Sequence, residues 1–263
     1  MLKIGFIGCG NMGGALARAV AASPIEKKLY LADKCEEKML ALGKEVGAEA
    51  STPETVAGEC DYVFIGVKPQ MLEDMFSGIR KVLDGRKDRF VLVSMAAGTT
   101  ISRIKELAGD RPVIRIMPNL AVSVGEGMTM YCSEGTEPGE TECFRSFMSK
   151  SGRLCPINEK LIDAGSAVSG CGPAYVFMFA EALADGGVYC GLPRADANLL
   201  AAQTLIGAAK MLIESGKHPG ELKDAVCSPG GTTIAGVKRL EEGAFRADVT
   251  DAVIAAYEKT KKL

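Results

Sequence analysis

Lys3-Ile4-Gly5-Phe6-Ile7-Gly8-Cys9-Gly10-Asn11-Met12-Gly13 joins a short apolar run to a G-x-G-x-x-G. Glycines at this spacing arise by chance in many proteins, so the flanks decide the reading. Lys3 to Ile7 has the length and apolar bias of a buried parallel strand, and Met12, Ala15, Leu16, Ala19 and Val20 then recur at helical spacing. A strand passing through a glycine turn into an amphipathic helix is the local form of a dinucleotide-binding unit. Gly8 is expected to make the tight turn, Gly10 to admit a pyrophosphate close to the backbone, and Gly13 to let helix pack on strand. Asn11 and Met12 would open the helix, whose free N–H groups and dipole favour a phosphate.

Working outward, short apolar runs alternate with helical patterns. Leu29 to Ala32, Tyr62 to Val67, Phe90 to Ser94, Val113 to Met117 and Met128 to Tyr131 read as strands, with a last one over Arg153 to Ile157. This alternation predicts an α/β fold with a doubly wound, mostly parallel sheet of Rossmann type over residues 1–157. From residue 158 to residue 263 the pattern is helical. Helices are expected from Pro173 to Cys190, on to Gly216, over Pro219 to Cys227, over Thr233 to Glu242, and through Val249 and Tyr257. The helix from Ala174 to Cys190 is apolar nearly all round, and the next carries the small residues Ala201, Ala202, Gly207, Ala208 and Ala209. Such helices need burial on most sides. The all-α half is therefore expected to bury itself against a second copy of the chain; a compact monomeric bundle around one central helix is the competing expectation.

Composition excludes several classes. The 263-residue chain has a net charge of −2, so no basic field attracts nucleic acid or an acidic membrane surface. Its nine cysteines are odd in number and form no C-x-x-C pair, as expected of reduced thiols in a cytosol. Asn11 and Arg18 interrupt residues 1–23 as a secretory signal, while Glu181, Asp185, Gln203 and Lys210 interrupt the most apolar stretches. A cytoplasmic protein without nucleic-acid or membrane partners is expected. His218 is the single histidine, so Ser-His-Asp catalysis and histidine metal clusters lack their residues, and no metal is expected.

Open α/β sheets bind ligands at the carboxyl ends of their strands. Val67-Lys68-Pro69, Ser94-Met95-Ala96-Ala97-Gly98 and Arg115-Ile116-Met117-Pro118-Asn119 each close a strand. Small residues at Ala96, Ala97 and Gly98 would let a nicotinamide ring lie against the backbone, although a tight strand-to-helix turn asks for the same residues. Ser228-Pro229-Gly230-Gly231-Thr232-Thr233 breaks two helical segments and offers unpaired N–H groups and three hydroxyls to a small carboxylate. A plain helix cap by Thr232 or Thr233 would account for the same residues.

Together with Ser169-Gly170-Cys171-Gly172-Pro173-Ala174-Tyr175 and the Thr233-x-x-Gly236-Val237-x-x-Leu240-Glu241 continuation, these segments resemble pyrroline-5-carboxylate reductase over essentially the whole chain. Cys171 departs from the usual serine and donates a weaker hydrogen bond. The resemblance implies reduction of the ring imine of L-1-pyrroline-5-carboxylate, a small cyclic imino acid, to L-proline by NAD(P)H. It further implies that Ser228, Gly230, Gly231, Thr232 and Thr233 hold the substrate carboxylate and that Thr233, the expected catalytic residue, bonds the ring nitrogen. Gly8, Gly10, Asn11, Met12, Gly13, Asp33, Lys34, Val67, Lys68, Pro69, Ala96, Ala97, Gly98 and Asn119 are the expected cofactor residues. The family's helical halves interlock as homodimers that often build larger rings, with active sites where helical and nucleotide halves meet.

Cofactor choice rests on two neighbours. Asp33, 20 residues after Gly13, would accept from the ribose 2′-hydroxyl of NADH, whereas Lys34 would attract the 2′-phosphate of NADPH. The family's habit tips the expectation to NADPH. Two other readings share the same halves: a β-hydroxyacid-type dehydrogenase, for which Lys210 is the one lysine inside the central helices, and a non-catalytic dinucleotide-binding dimer.

Overall fold

The computed structural model describes residues 1–261. Eight strands, β1 (Leu2–Ile7), β2 (Lys27–Ala32), β3 (Glu49–Ala50), β4 (Tyr62–Ile65), β5 (Val91–Ser94), β6 (Val113–Met117), β7 (Gly127–Glu134) and β8 (Gly152–Pro156), form one sheet in the order β3-β2-β1-β4-β5-β6-β7-β8. Every neighbouring pair is parallel except β6 and β7. The two-residue β3 is absent from the sequence reading, since Glu49 and Ala50 are exposed and too short to show alternation. β4 ends at Ile65 rather than Val67, which leaves Gly66 and Val67 in the loop beyond it.

Helices cover both faces. On one side α1 (Asn11–Ala22), α2 (Glu36–Val46) and α6 (Pro138–Phe147) pack against Ile4, Phe6, Phe64 and Val93. On the other, α3 (Pro53–Glu59), α4 (Leu72–Gly85) and α5 (Ile101–Ala108) pack against Ile7, Val63, Ile65 and Leu92. Strands covered twice can be apolar at nearly every position, and β4, Tyr-Val-Phe-Ile, is apolar throughout. Phe6 and Phe64 stack across β1 and β4 with ring centroids 4.4 Å apart.

After β8 come α7 (Ile162–Gly165) and a π-helical turn, Ser166–Gly170. The helical region continues with α8 (Gly172–Tyr189), α9 (Arg194–Ser215), α10 (Pro219–Val226), α11 (Thr232–Glu242) and α12 (Phe245–Thr260), each close to its expected span. The described residues divide into one compact unit of Met1–Gly170, joined by Tyr257 to Lys261, and a second of Cys171–Ala256. These compact units meet after Gly170, so residues 158–170 pack with the first of them. The reason is electrostatic as well as apolar. Arg115 of β6, 4% exposed, pairs with Glu159 at 3.1 Å and Asp163 at 3.3 Å, and Glu159 also accepts from the Ile101 N–H at 2.7 Å. Ile162 and Ala167 are buried beside them, so residues 158–170 belong with the sheet.

Within the second unit, α8 and α9 meet through Ala184, Ala197, Ala201 and Val188. A Cβ at Gly187 would touch that of Ala197 at 3.4 Å, an ordinary packing contact, and would press on the end of Leu192 at 3.1 Å. Ala184 is the one buried residue of α8, while Phe177 and Met178 are 61% and 68% exposed. A compact monomeric bundle around one central helix is therefore not what the chain forms.

Candidate functional site

β1 is flanked by β2 and β4, from which the chain runs outward in opposite directions, so the strand order reverses between β1 and β4. Crevices form at the carboxyl ends of strands at such a switch. Gly8 has φ 105°, and a Cβ there would lie 2.6 Å from the carbonyl carbon of Gly66. Gly66 in turn donates to the Ile7 carbonyl at 2.8 Å. A Cβ on Gly13 would stand 2.1 Å from the Gly8 oxygen. Gly8 and Gly13 are thus fixed by packing. Gly10 differs, because nothing lies within 4 Å of where its Cβ would be. That open space faces the start of α1, where Gly10 is the N-cap and no side chain caps the helix. The first N–H groups there have no intrahelical partner and carry the positive end of the dipole.

A cavity of about 370 Å³ opens at this switch point, lined by Gly8, Gly10, Asp33, Lys34, Val67 and Lys68 among others. Its size falls in the range of small-molecule sites. Asp33 is held at both oxygens, Oδ2 by the Cys9 N–H at 2.5 Å and Oδ1 by the Cys35 N–H at 2.8 Å. Lys34 is exposed and makes no hydrogen bond or ion pair among the described residues. Burial, with Asp33 adding to it, pushes the Cys9 thiol up to about 12, so this cysteine inside the glycine motif stays protonated. Gly66, Glu54 and Asp74 also line the cavity and were missed in the sequence. Gly66 left a signal, as a glycine directly after an apolar strand, whereas Glu54 and Asp74 look like ordinary surface acids.

Of the other expected cofactor residues, Asn11, Met12 and Gly13 form the first turn of α1, and Pro69 begins a 3₁₀ turn ending at Met71. Ala96, Ala97 and Gly98 lie past the end of β5 in a turn closed by the Thr99 N–H on the Ala96 carbonyl at 3.4 Å, with Gly98 at φ 68°. A φ of that sign at the third turn position calls for glycine, so the turn itself accounts for Gly98. Asn119 is occupied by backbone. Its Nδ2 donates to the Ser169 carbonyl at 3.0 Å and its Oδ1 accepts from the Met128 N–H at 3.1 Å. It ties the end of β6 to β7 and to the π turn.

In the second unit, Gly231 donates to the Ser228 carbonyl at 3.0 Å and Gly230 takes φ 68°, closing a turn between α10 and α11. The N-cap of α11 is Gly231, with no side-chain cap, so the expectation of capping by Thr232 or Thr233 is corrected. A Cβ on Gly231 would stand 2.3 Å from Ser228 Oγ, an exposed hydroxyl free to rotate away, and 3.1 Å from the Ser228 carbonyl oxygen. Ser228, Thr232 and Thr233 are exposed, and none of their hydroxyls makes a hydrogen bond among the described residues. The loop presents unpaired N–H groups and three free hydroxyls on one helix start. His218 is spent on capping α10, accepting from the Gly220 N–H, and Lys210 is exposed on α9. Cys171 precedes α8 without capping it.

Residues 159–263 match the family described as pyrroline-5-carboxylate reductase dimerisation, and residues 3–98 match one described as NADP oxidoreductase, coenzyme F420-dependent. A pyrroline-5-carboxylate reductase of Escherichia coli (strain K12) is 42% identical over 266 residues, spanning 99% of this chain and 98% of that protein. The chain belongs to the pyrroline-5-carboxylate reductase family. A pyrroline-5-carboxylate reductase of Arabidopsis thaliana is 41% identical over 99% of this chain and 95% of its own length. The crystal structure of the Plasmodium falciparum pyrroline carboxylate reductase, with NADP bound, superposes with a TM-score of 0.87 at 33% identity, covering 99% of this chain and 97% of that one. Likeness to these reductases spans the sheet and the helices alike.

Proposed function

We propose that the chain reduces the ring imine of L-1-pyrroline-5-carboxylate to L-proline, the closing step of proline biosynthesis, with hydride from NADPH and with NADH as the alternative donor. The observation that carries the reading is the uncapped start of α11. A small carboxylate is held there by the N–H groups of Thr232 and Thr233 and by hydroxyls that have no other partner. Thr233, whose hydroxyl is free, bonds the ring nitrogen. A bound nicotinamide would supply hydride from C4 to the imine carbon, and the electron pair of the C=N bond would go to the ring nitrogen, neutralising the protonated imine. Hydride chemistry belongs to the cofactor, so the protein has mainly to align donor and acceptor. No histidine is needed.

On the cofactor side, Asn11 and Met12 offer N–H groups to the pyrophosphate beside the open space at Gly10. Val67 and Lys68 line the same crevice, Pro69 carries the chain beyond them into a 3₁₀ turn, and the small turn Ala96-Ala97-Gly98, outside the cavity lining, takes the nicotinamide face. Asn119 serves as a positioning residue through Ser169 and Met128.

The exposed apolar faces of α8 and α9 belong to a homodimer, a second copy covering what one chain leaves open. The helical run Glu159–Tyr189, with mean hydropathy 1.3, is long and apolar enough to cross a membrane, and we assign its apolar surface to the partner subunit instead. Rings of such dimers and a cytoplasmic location complete the reading. Oxidation of proline or thioproline at high pH, followed at the nicotinamide absorbance, tests it. Turnover is expected; cofactor binding without turnover of either amine would overturn the reductase in favour of a binding protein.

A further inference from the structure

Few charges interrupt the apolar and small-residue surfaces of α8 and α9, and most of them are accounted for within one chain. Asp185 of α8 pairs with Arg194 of α9 at 2.6 Å. Asp196 stands in the first turn of α9, where the positive end of the dipole favours an acid. Glu214 falls in the last turn, beside the polar stretch Ser215-Gly216-Lys217 that ends the helix. Two charges remain. Glu181, midway along α8, and Lys210, in the second half of α9, are exposed and make no ion pair or side-chain hydrogen bond among the described residues. Glu181 borders the same hollow as Asp185 and Arg194, but Arg194 is turned to Asp185. Both lie in apolar surroundings: Phe177 is exposed one turn before Glu181, and Ile206 and Ile213 are exposed one turn to either side of Lys210.

Within one chain the two do not meet. The helices are antiparallel neighbours that touch through Ala184, Ala197 and Ala201. Lys210 lies well beyond Ala201 and Glu181 just before Ala184, which leaves them roughly 10 Å apart along the helix axes. A surface that covers these faces takes both charges out of water, and a covered charge without an opposite partner is strongly unfavourable. The surface that offers one acid and one base amid apolar side chains is the same helix pair on a second copy. Both helices lie in the region matched by the dimerisation family, residues 159–263. In a two-fold interface every contact is made twice, so one acid and one base per chain suffice. We propose that Lys210 of each copy pairs with Glu181 of the other, and that these two symmetric ion pairs fix the register in which the apolar faces of α8 and α9 dock. Apolar faces rich in small residues fit one another at several offsets, whereas a charge pair is satisfied at one. The proposal rests on the homodimer reading and adds the side chains that align it.

The test is sedimentation of the full chain as wild type, Lys210→Glu, Glu181→Lys, and the two variants mixed. Each variant alone sets like charges against each other at both contacts and is expected to weaken the dimer Kd by about 100-fold or more. In the mixture one variant supplies two acids and the other two bases, so both contacts are restored in a heterodimer. Its Kd is expected to return to within about tenfold of the wild type. Circular dichroism shows whether each variant keeps its helices. If one does not, the neutral variants Lys210→Met and Glu181→Gln take their place, and the double variant is expected to dimerise no more weakly than the weaker single one. Additive losses would overturn the pair. Single charge reversals that dimerise as the wild type does would also overturn it, as would mixed variants that stay monomeric while the wild type is a dimer. A wild type that itself sediments as a monomer would instead remove the homodimer reading, and the pair with it.

Discussion

Gly10→Ala and Gly13→Ala change the same motif by one methyl group and should fail in different ways. Gly10 has φ −63° and ψ −171°, a conformation alanine adopts, and its Cβ would meet nothing within 4 Å. Without cofactor, the change should cost only the poorer N-cap preference of alanine, about 0.5–1 kcal/mol. With cofactor, the methyl occupies the space through which a pyrophosphate oxygen reaches the first N–H groups of α1. Loss of one charge-assisted hydrogen bond is worth about 1.5–3 kcal/mol, so the Kd for NADPH should weaken by roughly 10- to 100-fold. Gly13→Ala brings a Cβ to 2.1 Å from the Gly8 oxygen, a backbone atom, so strand and helix must part. It should destabilise the free protein by about 2 kcal/mol or more. Urea unfolding of the free protein and fluorescence titration with NADPH separate the two effects. The reasoning is refuted if Gly10→Ala binds NADPH as the wild type does, or if it loses as much stability as Gly13→Ala.

Thr233→Ala should lower kcat/KM for the imine by about 10- to 100-fold while the NADPH Kd stays unchanged; equal kcat/KM would remove the threonine from the chemistry. Arg115→Met strands Glu159 and Asp163 but leaves them about a third exposed, so chemical unfolding should show a loss of about 2 kcal/mol rather than the larger value of a fully buried pair. A loss below about 0.5 kcal/mol would mean that residues 158–170 are held to the sheet by packing alone. Phe177→Glu places a charge on the exposed apolar face of α8 and should convert dimers to monomers in sedimentation; an intact dimer would move the interface elsewhere. Burial pushes both the Cys9 and the Cys60 thiols up to about 12, so iodoacetamide near neutral pH should label exposed Cys35 and spare both. Labelling of Cys9 at the rate of Cys35 would show that the phosphate loop opens.

Much of the site could be read from the chain because local chemistry dictates it. A strand, a glycine turn and an amphipathic helix in sequence leave few alternatives for residues 2–22, and the apolar strands follow from burial on two faces. Gly10 and Gly13 were assigned distinct tasks from spacing, and the structure separates them by whether a Cβ has room. What escaped the sequence depends on contacts between distant residues. Arg115 gave no sign that it would reach 44 residues ahead to Glu159, an ion pair that ties residues just past β8 to the sheet. Asn119 ends a strand at the ligand-binding edge, yet its amide is taken up by Ser169 and Met128. The brace on Asp33 was hidden for the same reason, since backbone donors leave no mark on residue identity. At Thr232 and Thr233, local propensity favoured a cap, but the glycine before them takes that position and frees both hydroxyls.

The central claim is imine reduction by a nicotinamide dinucleotide, and one measurement reaches it most directly. Purified protein is mixed with NADPH and L-1-pyrroline-5-carboxylate, and loss of nicotinamide absorbance is compared with L-proline formed. The account predicts imine-dependent oxidation with one proline per NADPH consumed, abolished when the imine is omitted. Tight NADPH binding with no imine-dependent oxidation, or oxidation without proline, would contradict it.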